Sequence, residues 1–184
     1  MIPPTDHKRE LRIRMRAERE RFVREGGGVI LVPPAYRERL APGLIVASYR
    51  PIQGEADPAP LERAAHDAGC RIALPLVVSR AAPIRFLEID AAPLLTPGPF
   101  GLVNPPAAAP EVAPDIVLVP LVAFDAAGRR VGQGAGHYDR ALAALPQAWR
   151  LGVAWSVQQV QALEADPWDI PLHAIATECG LVTP

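Results

Sequence analysis

Between Asp115 and Arg140 the sequence reads DIVLVPLVAFDAAGRRVGQGAGHYDR. Glycines at 132, 134 and 136 alternate with Gln133 and Ala135, which leaves backbone N–H groups uncovered by side chains. Such groups can converge on a phosphate, and a helix starting after Gly136 adds the positive end of its dipole. Arg130, just before, can supply fixed positive charge to the same phosphates. Asp139, just after, puts a carboxylate where Mg²⁺ would be held beside a polyphosphate. The string lacks the Gly-Lys-Ser/Thr ending of a Walker loop and the G-x-G-x-x-G spacing of a dinucleotide fold. Glycine-rich loops also make plain tight turns, so the spacing alone leaves both readings open.

The elements that would position this loop alternate. A helix capped by Thr5 or Asp6 runs to about Arg24, with Leu11, Met15, Phe22 and Val23 as a rough apolar face, and Gly26-Gly27-Gly28 ends it. A short helix starts after Pro33-Pro34. Strands are expected at Leu44–Tyr49, Arg71–Val78, Ile84–Ile89, Asp115–Val119, Leu151–Trp155 and His173–Thr177. Helices are expected at Pro60–Ala68, stopped by Gly69, at 137–145 and at Gln158–Leu163. Residues 91–114, rich in Pro and Ala, read as a loop packed across the surface. This alternation predicts an α/β fold: a single three-layer domain over 1–184 with a largely parallel, Rossmann-like sheet and ligands at the carboxyl ends of its strands.

Charge divides unevenly. Residues 1–25 hold eight Lys/Arg and five Asp/Glu, a net of +3, while the whole chain of 184 residues is −1. The basic arm reads either as a solvated helix face or as a surface for an anionic ligand. An overall charge of −1 gives no reason to expect nucleic acid as a partner. No apolar run approaches the roughly 20 residues of a membrane helix, and no apolar stretch follows the charged N-terminus as in a signal peptide. Cys70 and Cys179 form no CxxC and read as buried, inert thiols of a reducing cytoplasm.

The full string resembles the signature of the 5-formyltetrahydrofolate cyclo-ligase family: Phe124-Asp125, Gly128 with Arg130, then Gly132, Gly134, Gly136, Tyr138, Asp139 and Arg140. Further matches run in family order: Lys8-Arg9-Glu10-Leu11-Arg12, the stretch SYRPIQGEADPAPL at 48–61, LPLV at 74–77, GPFGLVNPP at 98–106, then Gln158, WDIPL at 168–172 and Thr177-Glu178. The resemblance implies an enzyme that uses ATP to close 5-formyltetrahydrofolate into 5,10-methenyltetrahydrofolate, releasing ADP and phosphate. Its partners would be ATP and a reduced folate, and the chain is expected to act as a monomer.

By the same resemblance Lys8 and Arg12 reach ATP from the N-terminal helix. Arg130, Gly132, Gln133, Gly134, Ala135, Gly136, His137 and Tyr138 wrap its phosphates, Arg130 and Lys8 act in catalysis, and Asp139 and Asp169 hold Mg²⁺. Arg50, Glu55 and Asn104 face the folate; a carboxylate suits a pterin because it accepts paired hydrogen bonds from the ring's amino and N–H groups. Asp169 can alternatively brace a turn. Three positions depart from the pattern: Asn104 stands where Glu is common, Ala135 where bacterial members often have Gly, and His137 where Tyr or Phe is usual. These keep two other readings open, a relative with the same ATP site but another substrate, and a folate or nucleotide binder without turnover.

Overall fold

In the computed structural model, which describes residues 4–90 and 94–184, the first helix, α1 (Pro4–Arg24), lays Leu11 and Met15 inward. Thr5 and Asp6 fall inside this helix rather than at its cap, and their side chains lie outside the described residues. Lys8, Arg12 and Arg16, spaced four apart, form a second stripe along it. After the short α2 (Pro34–Arg37) the chain enters β1 (Ile45–Ala47), then α3 (Ala59–Asp67), β2 (Arg71–Leu76) and β3 (Arg85–Ile89).

Two ribbons follow that the sequence does not announce. Within the expected surface loop, β4 (Thr96–Pro97) pairs with β5 (Val103–Asn104). After β6 (Ile116–Pro120), β7 (Ala123–Phe124) and β8 (Arg130–Val131) make a tight hairpin. Then come α4 (His137–Ala143), β9 (Trp149–Val153), β10 (Ala174–Thr177) and β11 (Gly180–Val182). The expected helix at Gln158–Leu163 is not formed. A 3₁₀ turn at Ser156–Gln158 gives way to extended chain, because the buried Gln158 amide donates to the carbonyls of Leu121 and Val122 and accepts from the Trp155 N–H. That ties the segment to its neighbours rather than to itself.

The main sheet runs β11-β10-β9-β6-β1-β2-β3. Its five central strands are parallel, and both edge strands, β3 and β11, are antiparallel. Side chains alternate faces along each strand, so Val46, Ile116, Leu118, Leu151 and Ala176 join one core with Tyr36, Leu61 and Ala65 of α2 and α3. Ala47, Val117, Val119 and Ile175 join the other, with Ala141 and Leu142 of α4. Both faces are covered, which is the three-layer arrangement and explains why the central strands read as unbroken apolar runs.

From β1 the chain steps toward β2, whereas β6, on the other side of β1, leads toward β9 and β10. Strand order therefore reverses between β1 and β6. In such sheets the crevice outside the carboxyl ends at the reversal is where ligands bind.

Candidate functional site

A cleft of about 640 Å³ opens at that point. Six Lys/Arg (Lys8, Arg12, Arg16, Arg50, Arg80, Arg130) and four Asp/Glu (Glu55, Asp139, Asp166, Asp169) line it, an excess of two positive charges in a chain whose total is −1. The α1 stripe supplies three of the six, so the basic arm faces a cavity rather than open solvent alone.

The β7–β8 hairpin aims the key arginine. Asp125, 2% exposed, accepts from the N–H groups of Ala127 and Arg129 with one oxygen and from Leu163 N with the other. Gly128 turns the hairpin at φ 73°, where a Cβ would lie 2.6 Å from the Leu172 carbonyl. The Phe-Asp and Gly-x-Arg part of the motif is thus scaffolding, and Arg130 is what it delivers. Arg130 donates to the Ile170 carbonyl and, at 2.5 Å, to Asp139 Oδ1. Burial lowers its pKa, with Asp139 and Asp169 acting against that; a guanidinium stays charged regardless.

The next loop is open. Among the described residues, and apart from its two chain neighbours, nothing stands within 4 Å of a Cβ placed on Gly132; Gly134 adopts φ 100° and Gly136 φ 65° before α4 begins at His137. The Gly132 and Gly134 carbonyls accept from Arg12 and Arg80, and the Ala135 carbonyl from Arg140. His137 Nε2 lies 3.1 Å from the Ser79 carbonyl oxygen. Tyr138 packs against the core while lining the cleft, and burial pushes its phenol pKa up.

Lys8 reaches across to Asp166 (2.6 Å) and Asp169 (3.0 Å). Burial acts to lower its pKa, but the hydrogen bonds and charges of the two aspartates outweigh it and leave the value raised. Asp166 is a cleft residue that the sequence reading missed; it stands between Glu164 and Asp169 just outside the WDIPL motif, and only the fold sets it against Lys8. Among the described residues, no group of three or more His, Cys, Asp or Glu gathers into a metal cage. Asp139 and Asp169 each engage one carboxylate oxygen and keep the other free of hydrogen bonds among the described residues. That donor set suits a hard cation whose remaining ligands are phosphate oxygens and water.

The facing wall follows β1. Arg50 forms a two-pronged ion pair with Glu62, at 2.7 and 3.1 Å. Glu55, 8% exposed, accepts from Ile52 N at 3.1 Å and from Gln133 Nε2 at 2.9 Å; the Gln133 side-chain oxygen accepts from Arg16. Burial raises the Glu55 pKa, and these two hydrogen bonds with the charges of Arg19 and Arg16 pull it back. Asn104 stands apart from the cleft wall. Its amide accepts from Val77 N and donates to Val77 O, pinning the β4–β5 ribbon to the end of β2. Phe100 (57% exposed) and Trp168 (68% exposed) stand on the cleft lining, whereas Trp155 is buried. Of the thiols, Cys70 is buried as expected, but Cys179 is exposed because the β10–β11 turn carries it outward.

An α/β sheet with a cationic cleft at its switch point and two carboxylates beside a glycine loop defines a ligand-binding protein of the phosphate-handling kind. The comparisons narrow this. The model of the 5-formyltetrahydrofolate cyclo-ligase family matches residues 4–178. A 5-formyltetrahydrofolate cyclo-ligase of Escherichia coli (strain K12) is 34% identical over 143 residues, covering 72% of this chain and 76% of that protein. The enzyme of the same name from Mycolicibacterium smegmatis is 30% identical over 153 residues, 76% of this chain and 77% of that one. Among solved structures, the 5,10-methenyltetrahydrofolate synthetase of Aquifex aeolicus superposes with a TM-score of 0.67 at 25% identity, covering 99% of this chain and 93% of that one. This chain belongs to the 5-formyltetrahydrofolate cyclo-ligase family.

Proposed function

We propose that the chain catalyses ATP-dependent cyclisation of 5-formyltetrahydrofolate to 5,10-methenyltetrahydrofolate. One observation carries the reading beyond family membership: the glycine loop with Arg130, Asp139, Lys8 and Asp169 shares a single cleft with the Arg50–Glu55 wall. One wall fits a triphosphate and the other a pterin, so a phosphoryl group can pass directly between them.

The γ-phosphoryl group of ATP goes to the formyl oxygen, leaving ADP. The nitrogen at position ten attacks the activated carbon, loses its proton, and phosphate departs with the former formyl oxygen as the ring closes. Such a transfer needs alignment and positive charge to neutralise the negative charge that moves, rather than a covalent enzyme intermediate. Arg130, held rigidly by Ile170 and Asp139, and Lys8 supply that charge. The open backbone of residues 132–136 and Arg12 receive the phosphates. Mg²⁺, held by Asp139 and Asp169, would neutralise charge on the phosphate oxygens. Glu55 and Arg50 orient the folate, with Phe100 and Trp168 offering flat faces to its rings. Asn104 serves by bracing its ribbon. We expect a monomer working in a reducing cytoplasm, which suits two unpaired cysteines.

The test is formation of methenyltetrahydrofolate, followed by absorbance, from 5-formyltetrahydrofolate and Mg·ATP. Wild type should turn over only with ATP, and Asp139→Ala should lose about 10²–10³-fold in kcat. Folded wild-type protein that binds ATP yet makes no product would transfer the reading to a relative acting on another substrate.

A further inference from the structure

Helix α1 carries an arginine where its period asks for an apolar residue. Leu11 and Met15 are buried and Phe22 packs on the core, and Arg19 falls on the same stripe, 1% exposed. One guanidinium nitrogen donates to the Gln53 carbonyl at 2.9 Å; Nε and the other terminal nitrogen are buried with no hydrogen-bond partner among the described residues. Burial depresses the Arg19 pKa, and the first charge to act against it is Glu55. A buried cation short of partners costs stability, and an apolar side chain of similar volume is often neutral or better at such a place. Packing therefore gives no reason for Arg19.

What it holds is the turn that presents Glu55. Gln53, not a glycine, sits at φ 49°, and Gly54 at φ 74°. Arg19 grips the Gln53 carbonyl, Trp155 Nε1 donates to the Gly54 carbonyl at 3.0 Å, and Glu55 N donates to the Ile52 carbonyl at 2.9 Å. Around the Glu55 carboxylate stand Arg19 and Arg16 from α1, Gln133 from the glycine loop, the Ile52 N–H, and the phenols of Tyr49 and Tyr138. Among the described residues no Lys or Arg hydrogen-bonds to it; its positive charge comes through space, from α1.

We infer that Arg19 is a positioning residue for the folate wall: without lining the cleft, it locks the Gln53–Glu55 turn and supplies buried positive charge to Glu55, which makes substrate recognition depend on the same helix that carries Lys8 and Arg12. The inference rests on Glu55 being the pterin-facing carboxylate.

Arg19→Met and Arg19→Lys in the full chain test it. In Arg19→Met the KM for 5-formyltetrahydrofolate should rise roughly ten- to a hundredfold, as for a misplaced orienting group, with the KM for ATP within about twofold. The acid limb of kcat/KM for the folate should move to higher pH, and Arg19→Lys should recover part of both effects. Combined with Glu55→Gln, Arg19→Met should add little, because both act on one interaction. Equal rises in both KM values, an unmoved acid limb or full additivity would each make Arg19 a packing residue and overturn the inference. Amide hydrogen exchange gives a readout without turnover: faster exchange confined to residues 52–55 in Arg19→Met upholds the positioning role, and unchanged exchange overturns it. If wild type fails to cyclise the folate, the reaction assignment falls and the exchange result alone decides on Arg19. Should Arg19→Met not fold, Arg19→Lys carries the same KM, pH and exchange comparisons.

Discussion

Two loops face each other across the cleft, and both use left-handed backbone, but they reach it differently. In residues 132–136 the positive φ angles fall on Gly134 and Gly136, residues with no Cβ to resist them. In residues 52–55 one of them falls on Gln53, held there by neighbours: Arg19 on its carbonyl and Trp155 on the next. The glycine loop is thus shaped by its own sequence and stays open toward a ligand. The glutamate turn is shaped by α1 and by the segment after β9, and it sits already packed. Phosphates, which are alike in every nucleotide, can be met by bare backbone; a heterocycle with directional edges needs a carboxylate fixed in place.

The sharpest way to break this contrast is Glu55→Gln, which keeps shape and removes charge. Loss of a charge-assisted contact of about 1.5–3 kcal/mol should lower kcat/KM for the folate by roughly ten- to a hundredfold and leave ATP binding alone. Its pH behaviour carries a sign. The Glu55 pKa is raised in the folded chain, mainly by burial. Recognition that needs the carboxylate is therefore lost, on acidification, at a higher pH than for a free glutamate. Over the window between the ordinary and the raised value the fold moves the other way: the native state binds the proton more tightly, so acidification stabilises it. Glu55→Gln should abolish both trends, measurable as a pH–rate profile and as Tm against pH. Retention of the acid limb in that variant would assign it to another group.

Backbone strain is the next test. Gly134→Ala puts a Cβ at φ 100° and should cost about 1–3 kcal/mol in urea unfolding, whereas Gly132→Ala, with open space and no such φ, should leave stability unchanged and act only on nucleotide binding. Equal losses would mean that the loop is not set by glycine conformation. The two loops meet through the Gln133–Glu55 hydrogen bond at 2.9 Å. Gln133→Ala should cost about 1 kcal/mol, read as a several-fold rise in the KM for both substrates together. The smallest effect is Gln53→Gly: relief of the left-handed backbone should offset the entropy cost of glycine and give a gain of up to about 1 kcal/mol, seen as a higher Tm; a lower Tm would mean that the turn stores no strain.

Much of the site was readable in the chain because it is local. Arg130, the glycines and Asp139 lie within ten residues of each other, and alternation of strands and helices implied the sheet and the end at which the loop would lie. What was missed depends on contacts distant in sequence. The Asp166 carboxylate meets its partner in the site, Lys8, across 158 residues of chain. The helix expected at Gln158–Leu163 had an acceptable pattern but lost to the buried bonds of Gln158 with Leu121 and Val122. Asn104 has the right kind of side chain for a ligand, yet both of its polar groups are taken up by Val77. The small ribbons β4–β5 and β7–β8 are two residues per strand, too short to show any period.

By itself, then, the sequence determined the layered α/β architecture, the glycine loop that lines the cleft and the family to which the chain belongs, since apolar alternation, glycine placement and ordered motifs are written in neighbouring residues. The tertiary structure alone decided which charges meet: that Lys8 lies between Asp166 and Asp169, that Arg130 grips Asp139, and that a buried Arg19 stands behind Glu55. Electrostatic and hydrogen-bonded contacts act over a few ångströms of space whatever the separation along the chain, and only the folded backbone sets that distance.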